Sequence, residues 1–192
     1  MAYSENRPSP DRTPVKKWAK VRLRAGYLYL AAALVFGTPQ FLWAIIGLLL
    51  ILGGIATRLV ASATLVKDRV LCIEGIYALT RNPLYLGSSL IGLGFAFLAT
   101  SEWLLGAYVL ILVPIYIRMI HLEEHYLSQL FPGEFERYMK SVPRFFPRLD
   151  SGKIRGTMSR EKLVRSRELT SAMLFLVIAA LILFLHRTWM PS

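Results

Sequence analysis

Residues 25–57 read A-G-Y-L-Y-L-A-A-A-L-V-F-G-T-P-Q-F-L-W-A-I-I-G-L-L-L-I-L-G-G-I-A-T, two uncharged apolar runs (25–36 and 41–57) parted by the turn Thr38-Pro39-Gln40. A connection that short permits only a helical hairpin. Working outward, three more runs follow at 84–99, 103–117 and 169–185, the first two of them joined by another tight turn, Thr100-Ser101-Glu102. A bilayer core of ~30 Å takes about 20 helical residues. Shorter runs reach across by recruiting flanking polar residues or by thinning the bilayer locally. The expectation is an all-α, polytopic membrane helix bundle with about five spans, the run 25–36 being the weakest of them.

Composition points the same way. Of 192 residues 55% are hydrophobic and only 18% charged, where soluble domains carry about a quarter charged. The net charge of +11 raises nucleic acid as a partner, but its distribution excludes that reading. Lys16, Lys17, Lys20, Arg22 and Arg24 precede the first run, Lys67, Arg69 and Arg81 lie between the second and third, and a basic stretch at 137–167 precedes the fifth. All fall on one side if each run spans, and Arg187 alone falls opposite. By the positive-inside rule that side is the cytoplasm, in a bacterial inner membrane or, for a eukaryote, the endoplasmic reticulum. The N-terminus lies inside and the C-terminus outside. The single cysteine, Cys72, excludes an internal disulfide and a multi-cysteine zinc site.

Three regions follow. Residues 1–14 form a polar, proline-rich tail expected to be disordered, with none of the features of a secretory signal. Residues 15–150 form a core with four spans, and 151–192 a basic linker with the fifth. Within 15–24, basic residues mix with Trp18, Val21 and Leu23. This stretch either lies along the anionic surface or serves only as a basic flank that fixes topology. The linker carries no aromatic residues between its charges, unlike a nucleic-acid site.

Two segments on the basic side carry chemistry. The first, 69–87, is R-V-L-C-I-E-G-I-Y-A-L-T-R-N-P-L-Y-L-G. Gly75 permits a positive-φ turn, and Asn82-Pro83 forces an extended residue before a helix start. Tyr77, Arg81 and Tyr85 then gather at the mouth of the third run, as an anion site or as an interfacial tyrosine–arginine belt. The second, 118–147, is R-M-I-H-L-E-E-H-Y-L-S-Q-L-F-P-G-E-F-E-R-Y-M-K-S-V-P-R-F-F-P. It continues the fourth run as a helix, with Ile120, Glu123, Glu124 and Leu127 on one face. The acid pair is either a solvated helix end or faces something cationic. His121, Glu124 and His125 match a short zinc pattern, but no third ligand is evident, and no metal is assigned.

Together the segments resemble the C-terminal signature of the isoprenylcysteine carboxyl methyltransferase family and the related membrane phospholipid methyltransferases. The carrying motifs are G-I-Y at 75–77, R-N-P-L-Y-L-G at 81–87, E-E-H-Y-L at 123–127, then Tyr138, V-P-R at 142–144 and Pro147. The resemblance implies a bundle of membrane helices with a cytoplasmic pocket for S-adenosylmethionine, and a lipid or isoprenoid-like acceptor, most simply a carboxylate. It implies cofactor contacts at Arg69, Val70, Leu71, Cys72, Tyr77, Asn82, Pro83, Leu84, Tyr85 and Glu123, and assigns Arg118 to the acceptor's head group. Asn82 stands where the family has histidine, so a proton role there is lost. Competing readings are a phospholipid N-methyltransferase, an NADPH-dependent sterol-type reductase with a similar motif, and a non-catalytic membrane scaffold. Acceptor and oligomeric state are not legible.

Overall fold

The computed structural model describes residues 10–65, 70–148 and 167–189, with side chains to 185; Arg69, most of the 1–14 tail and the linker 151–166 lie outside them. Among the described residues the regular elements are all helical. Helix α1 is Thr13–Phe36, α2 Phe41–Thr64, α3 Pro83–Leu98, α4 Glu102–Leu130, α5 Glu134–Ser141 and α6 Glu168–Trp189. A single 3-10 turn, Gly75–Ala78, lies between α2 and α3.

Among the described residues three helices are long and apolar enough to cross a membrane: α2, α4 and α6. Helix α4 has 29 residues, about 43 Å at ~1.5 Å per residue, so it outruns the bilayer core. Its second half, which holds the acid pair, therefore projects. A π-helical turn at Tyr108–Leu112 interrupts it before Pro114. Helix α3 is apolar but only 16 residues long, and 11 of those are buried. It is the inner helix of the bundle.

Helix α1 departs from the reading of 15–24 as a separate surface stretch. It runs unbroken from Thr13, with Pro14 in its first turn, where the missing N–H costs nothing. Val15, Trp18 and Ala19 share one face and pack with Met119, Ile120 and Tyr126 of α4. The Arg118 guanidinium lies 5.9 Å over the Trp18 ring, and that of Arg12 lies 5.1 Å over Tyr126. Val15, Trp18 and Ala19 are thus taken up by α4, while Val21 and Leu23 stay exposed.

The two tight turns meet at the far end of the bundle. Thr38 N–H donates to the Ala99 carbonyl (2.8 Å) and Gln40 N–H to Thr100 Oγ1 (3.1 Å). Both hairpins therefore turn on one face, and the opposite ends of α1 to α4 converge on the other. Helices α2 and α3 touch backbone to backbone. A Cβ on Gly47 would stand 2.4 Å from Leu98 N, one on Gly54 2.6 Å from the Gly87 carbonyl, and one on Gly94 2.7 Å from the Gly47 carbonyl. Small residues at such a crossing allow the close approach by which membrane helices associate. Helix α6 covers the edge between α1 and α2 through Ala172, Phe175, Ala179 and Ile182.

Candidate functional site

The basic ends of the helices enclose a cavity of ≈260 Å³. Its wall begins at Val70, Leu71 and Cys72, and the 3-10 turn brings Tyr77 in. Gly75 opens that turn at φ +60, the left-handed conformation its position calls for. Asn82, Leu84 and Tyr85 follow at the start of α3, and Glu123 enters from α4. Eight sequence-predicted residues thus share one cavity. Pro83 is buried in the first turn of α3 and does not line it. Arg118 does not reach it either: its side chain is exposed and turned onto Trp18.

The acid pair divides its labour. Glu123 lines the cavity close to Tyr85. Glu124 is 7% exposed and ties the two segments together. It pairs with Arg81 (3.2 Å) and Arg144 (2.9 Å) and accepts from Asn82 Nδ2 (3.2 Å). The second Asn82 amide contact goes to the Arg144 carbonyl at 3.0 Å. Asparagine at 82 is therefore a two-donor clamp, which accounts for a non-titrating side chain there.

Further bonds continue that seam. Arg81 N–H donates to the Pro143 carbonyl (3.0 Å), Arg148 N–H to the Leu79 carbonyl (3.0 Å), and Thr80 Oγ1 to the Phe145 carbonyl (2.9 Å). The Tyr138 hydroxyl donates to the Tyr77 carbonyl at 2.6 Å. Burial, above all, pushes the Tyr77 hydroxyl well above its ordinary pKa, and Tyr138 is raised for the same reason. Both remain neutral donors throughout the physiological range.

A second cavity of ≈140 Å³ lies between α1 and α6, floored by Ile91, Gly92 and Phe95 of α3 and Leu112 and Tyr116 of α4. Leu23, Tyr27 and Leu174 at its rim are exposed on the apolar outer face. Arg22 and Arg58 line both cavities. Sequence reading passed over both in this role. Arg58 is the charge that ends the second apolar run, and an ionisable residue on a membrane helix is itself a signal. Only tertiary contact with α6 and α1 reveals what it faces. His121 and His125 are exposed, His125 beside Gln129, and no group of three metal-binding side chains occurs among the described residues.

Comparison with known proteins finds several to which this chain is similar. The chain is 31% identical over 130 residues to a nickel-cobalt-cadmium resistance protein of Alcaligenes xylosoxydans xylosoxydans, covering 66% of this chain and 61% of that protein. It is 36% identical over 87 residues to the protein-S-isoprenylcysteine O-methyltransferase of Schizosaccharomyces pombe, covering 42% of this chain and 34% of that protein. A cobalt-zinc-cadmium resistance protein of Cupriavidus metallidurans is 35% identical over 83 residues, 43% of this chain and 38% of its own length. The chain thus spans between about a third and three-fifths of these relatives. No solved structure matches it. The phospholipid methyltransferase family model matches residues 42–134, the stretch from α2 to the start of α5 that builds most of the larger cavity. Over those residues the chain is similar to the phospholipid methyltransferase family, whose chemistry requires a methyl donor.

Proposed function

We propose that this chain is a membrane methyltransferase that uses S-adenosylmethionine to methylate the polar head of a lipid-like acceptor, most simply a carboxylate. The observation that carries the reading is the larger cavity, where both motif segments meet and Glu123 stands beside Tyr77, Asn82 and Tyr85 in one lining. Its lining suits that donor. Glu123 is placed to take an ammonium or ribose hydroxyls, Tyr77 and Tyr85 to wall an adenosine, and Val70, Leu71 and Leu84 to shield it from water. When bound, the cofactor supplies a methyl on a positive sulfur, to which an acceptor atom bonds as the carbon–sulfur electron pair leaves with sulfur. The protein's share is alignment and exclusion of water. A carboxylate acceptor arrives ionised and asks for no base.

The groove between α1 and α6 is the route for the acceptor's tail, since it joins the apolar exterior to the cofactor cavity at Arg22 and Arg58. In this reading α1 and α3 also cross, giving five spans with the cavity on the cytoplasmic face. The basic flanks at that end and the two touching turns at the other support it.

Calorimetry of S-adenosylmethionine binding in detergent tests the proposal. Wild-type protein should bind and Glu123→Ala should weaken binding at least about tenfold, the loss of a charge-assisted contact. No binding by wild type, or equal binding by the variant, overturns it.

A further inference from the structure

The two cavities share two guanidinium groups in their walls, and one of these already holds a carboxylate. Arg58 donates from Nε to Glu168 Oε2 (2.9 Å) and from Nη2 to Oε1 (2.8 Å), a two-pronged clasp. Its third nitrogen, Nη1, bonds Ser88 of α3. Both side chains of the clasp are largely buried, at 15% and 14% exposure. Such a fork matches the flat geometry of a carboxylate. The seat therefore has the shape of a carboxylate site at the inner end of the lipid-facing groove.

Beside it, Arg22 crosses from the other wall. Its guanidinium stands 5.6 Å over the Tyr85 ring, and its Nε is buried without a hydrogen-bond partner. Burying a guanidinium nitrogen unpaired is costly. An incoming anion would relieve that cost. Glu123 and Tyr85, on the cofactor side, line the same cavity as both arginines. An anion held at Arg22 and Arg58 thus lies within the space where methyl transfer would take place, its tail in the groove behind it.

We propose that Arg22 and Arg58 seat the acceptor's carboxylate, and that Glu168 of α6 occupies the Arg58 fork until an acceptor displaces it. The proposal deepens the methyltransferase reading and rests on it for the fate of the bound head, though not for binding itself. It moves the head-group role from Arg118, which faces Trp18, to the junction. It also makes α6 responsive: the acceptor that enters along this helix releases the contact that fastens its first turn to α2.

The test compares two synthetic probes, S-farnesylthioacetate and its neutral carboxamide, by calorimetry with the full chain in detergent. Tritium transfer from labelled S-adenosylmethionine is read in parallel. Wild type should bind the carboxylate about tenfold more tightly than the amide. Arg22→Gln, which spares the Arg58–Glu168 pair, should erase the preference by weakening binding of the carboxylate more than of the amide. Arg58→Lys keeps the charge but loses the fork, and should reduce the preference in the same direction. Glu168→Gln should tighten carboxylate binding by freeing the seat. No preference in wild type, a preference that survives Arg22→Gln, or weaker carboxylate binding in a folded Glu168→Gln protein each overturns the proposal. A preference without any methyl transfer counts against the methyltransferase reading alone. Methyl transfer with no preference counts against this seat alone.

Discussion

At the scale of single residues, neighbouring Glu123 and Glu124 have separate fates. The sequence shows an acid pair on a helix, and helical spacing places both near one face. Which of them is tied into the seam depends on Arg81, Asn82 and Arg144, two of them more than 40 positions away, arriving around Glu124. Replacing Glu124 with Gln should therefore act on stability. Breaking a buried pair costs about 3–5 kcal/mol, and since Arg144 is 47% exposed the lower end applies. Thermal unfolding in detergent should show a lowered midpoint, whereas Glu123→Gln should leave the midpoint near wild type and cost cofactor binding. Tyr77 and Tyr138 add a pH dependence. Their hydroxyl pKa values are raised above 10 in the fold, so the native state keeps protons that the unfolded chain has released. Their contribution is complete below pH 10 and is lost as pH climbs beyond it. Unfolding midpoints measured from pH 8 to 11 should stay flat and then fall, with a shallower fall in Tyr138→Phe.

At the scale of helices, the alternation of apolar runs and basic flanks made the hairpins legible, because a turn of three residues leaves the chain no other course. The fourth run's extension past the acid pair was legible too. Helix α3, at 83–98, was legible as the run at 84–99. The charged first half of α1 was not legible as part of one continuous helix, because its packing on α4 through Val15, Trp18 and Ala19 is tertiary. The glycines of the α2–α3 contact looked in sequence like ordinary members of apolar runs. In the fold a side chain at Gly54 would meet the Gly87 carbonyl at 2.6 Å and Ile91 at 2.7 Å. Gly54→Val should force the helices apart and lower stability by about 1–3 kcal/mol, the usual range for overpacking, read as a lower unfolding midpoint. Gly53→Val, one residue away with open space around it, should leave the midpoint nearly unchanged.

At the scale of the molecule, the two cavities share Arg22 and Arg58, and in the proposed function the smaller one is the passage from membrane to cofactor. Much of the larger cavity's lining was readable from motifs. The passage was not, because its lining comes from five helices with no shared sequence pattern. Joining cysteines at Leu23 and Leu174 with a bifunctional maleimide, in a Cys72→Ser background, should stop methylation of lipid acceptors while S-adenosylmethionine still binds. Loss of both would mean that the passage and the cofactor cavity are not separable.

The backbone contact between α2 and α3 gives this passage a direction. Two helices pressed together at Gly47, Gly54, Gly87 and Gly94 form a fixed post, and any swing that admits a bulky tail falls to α1 and α6. The molecule therefore has a working flank and an idle one within the plane of the bilayer. A neighbouring protein or a stiff lipid domain pressed against the α1–α6 edge would throttle turnover, and the same crowding along the glycine post would pass unnoticed.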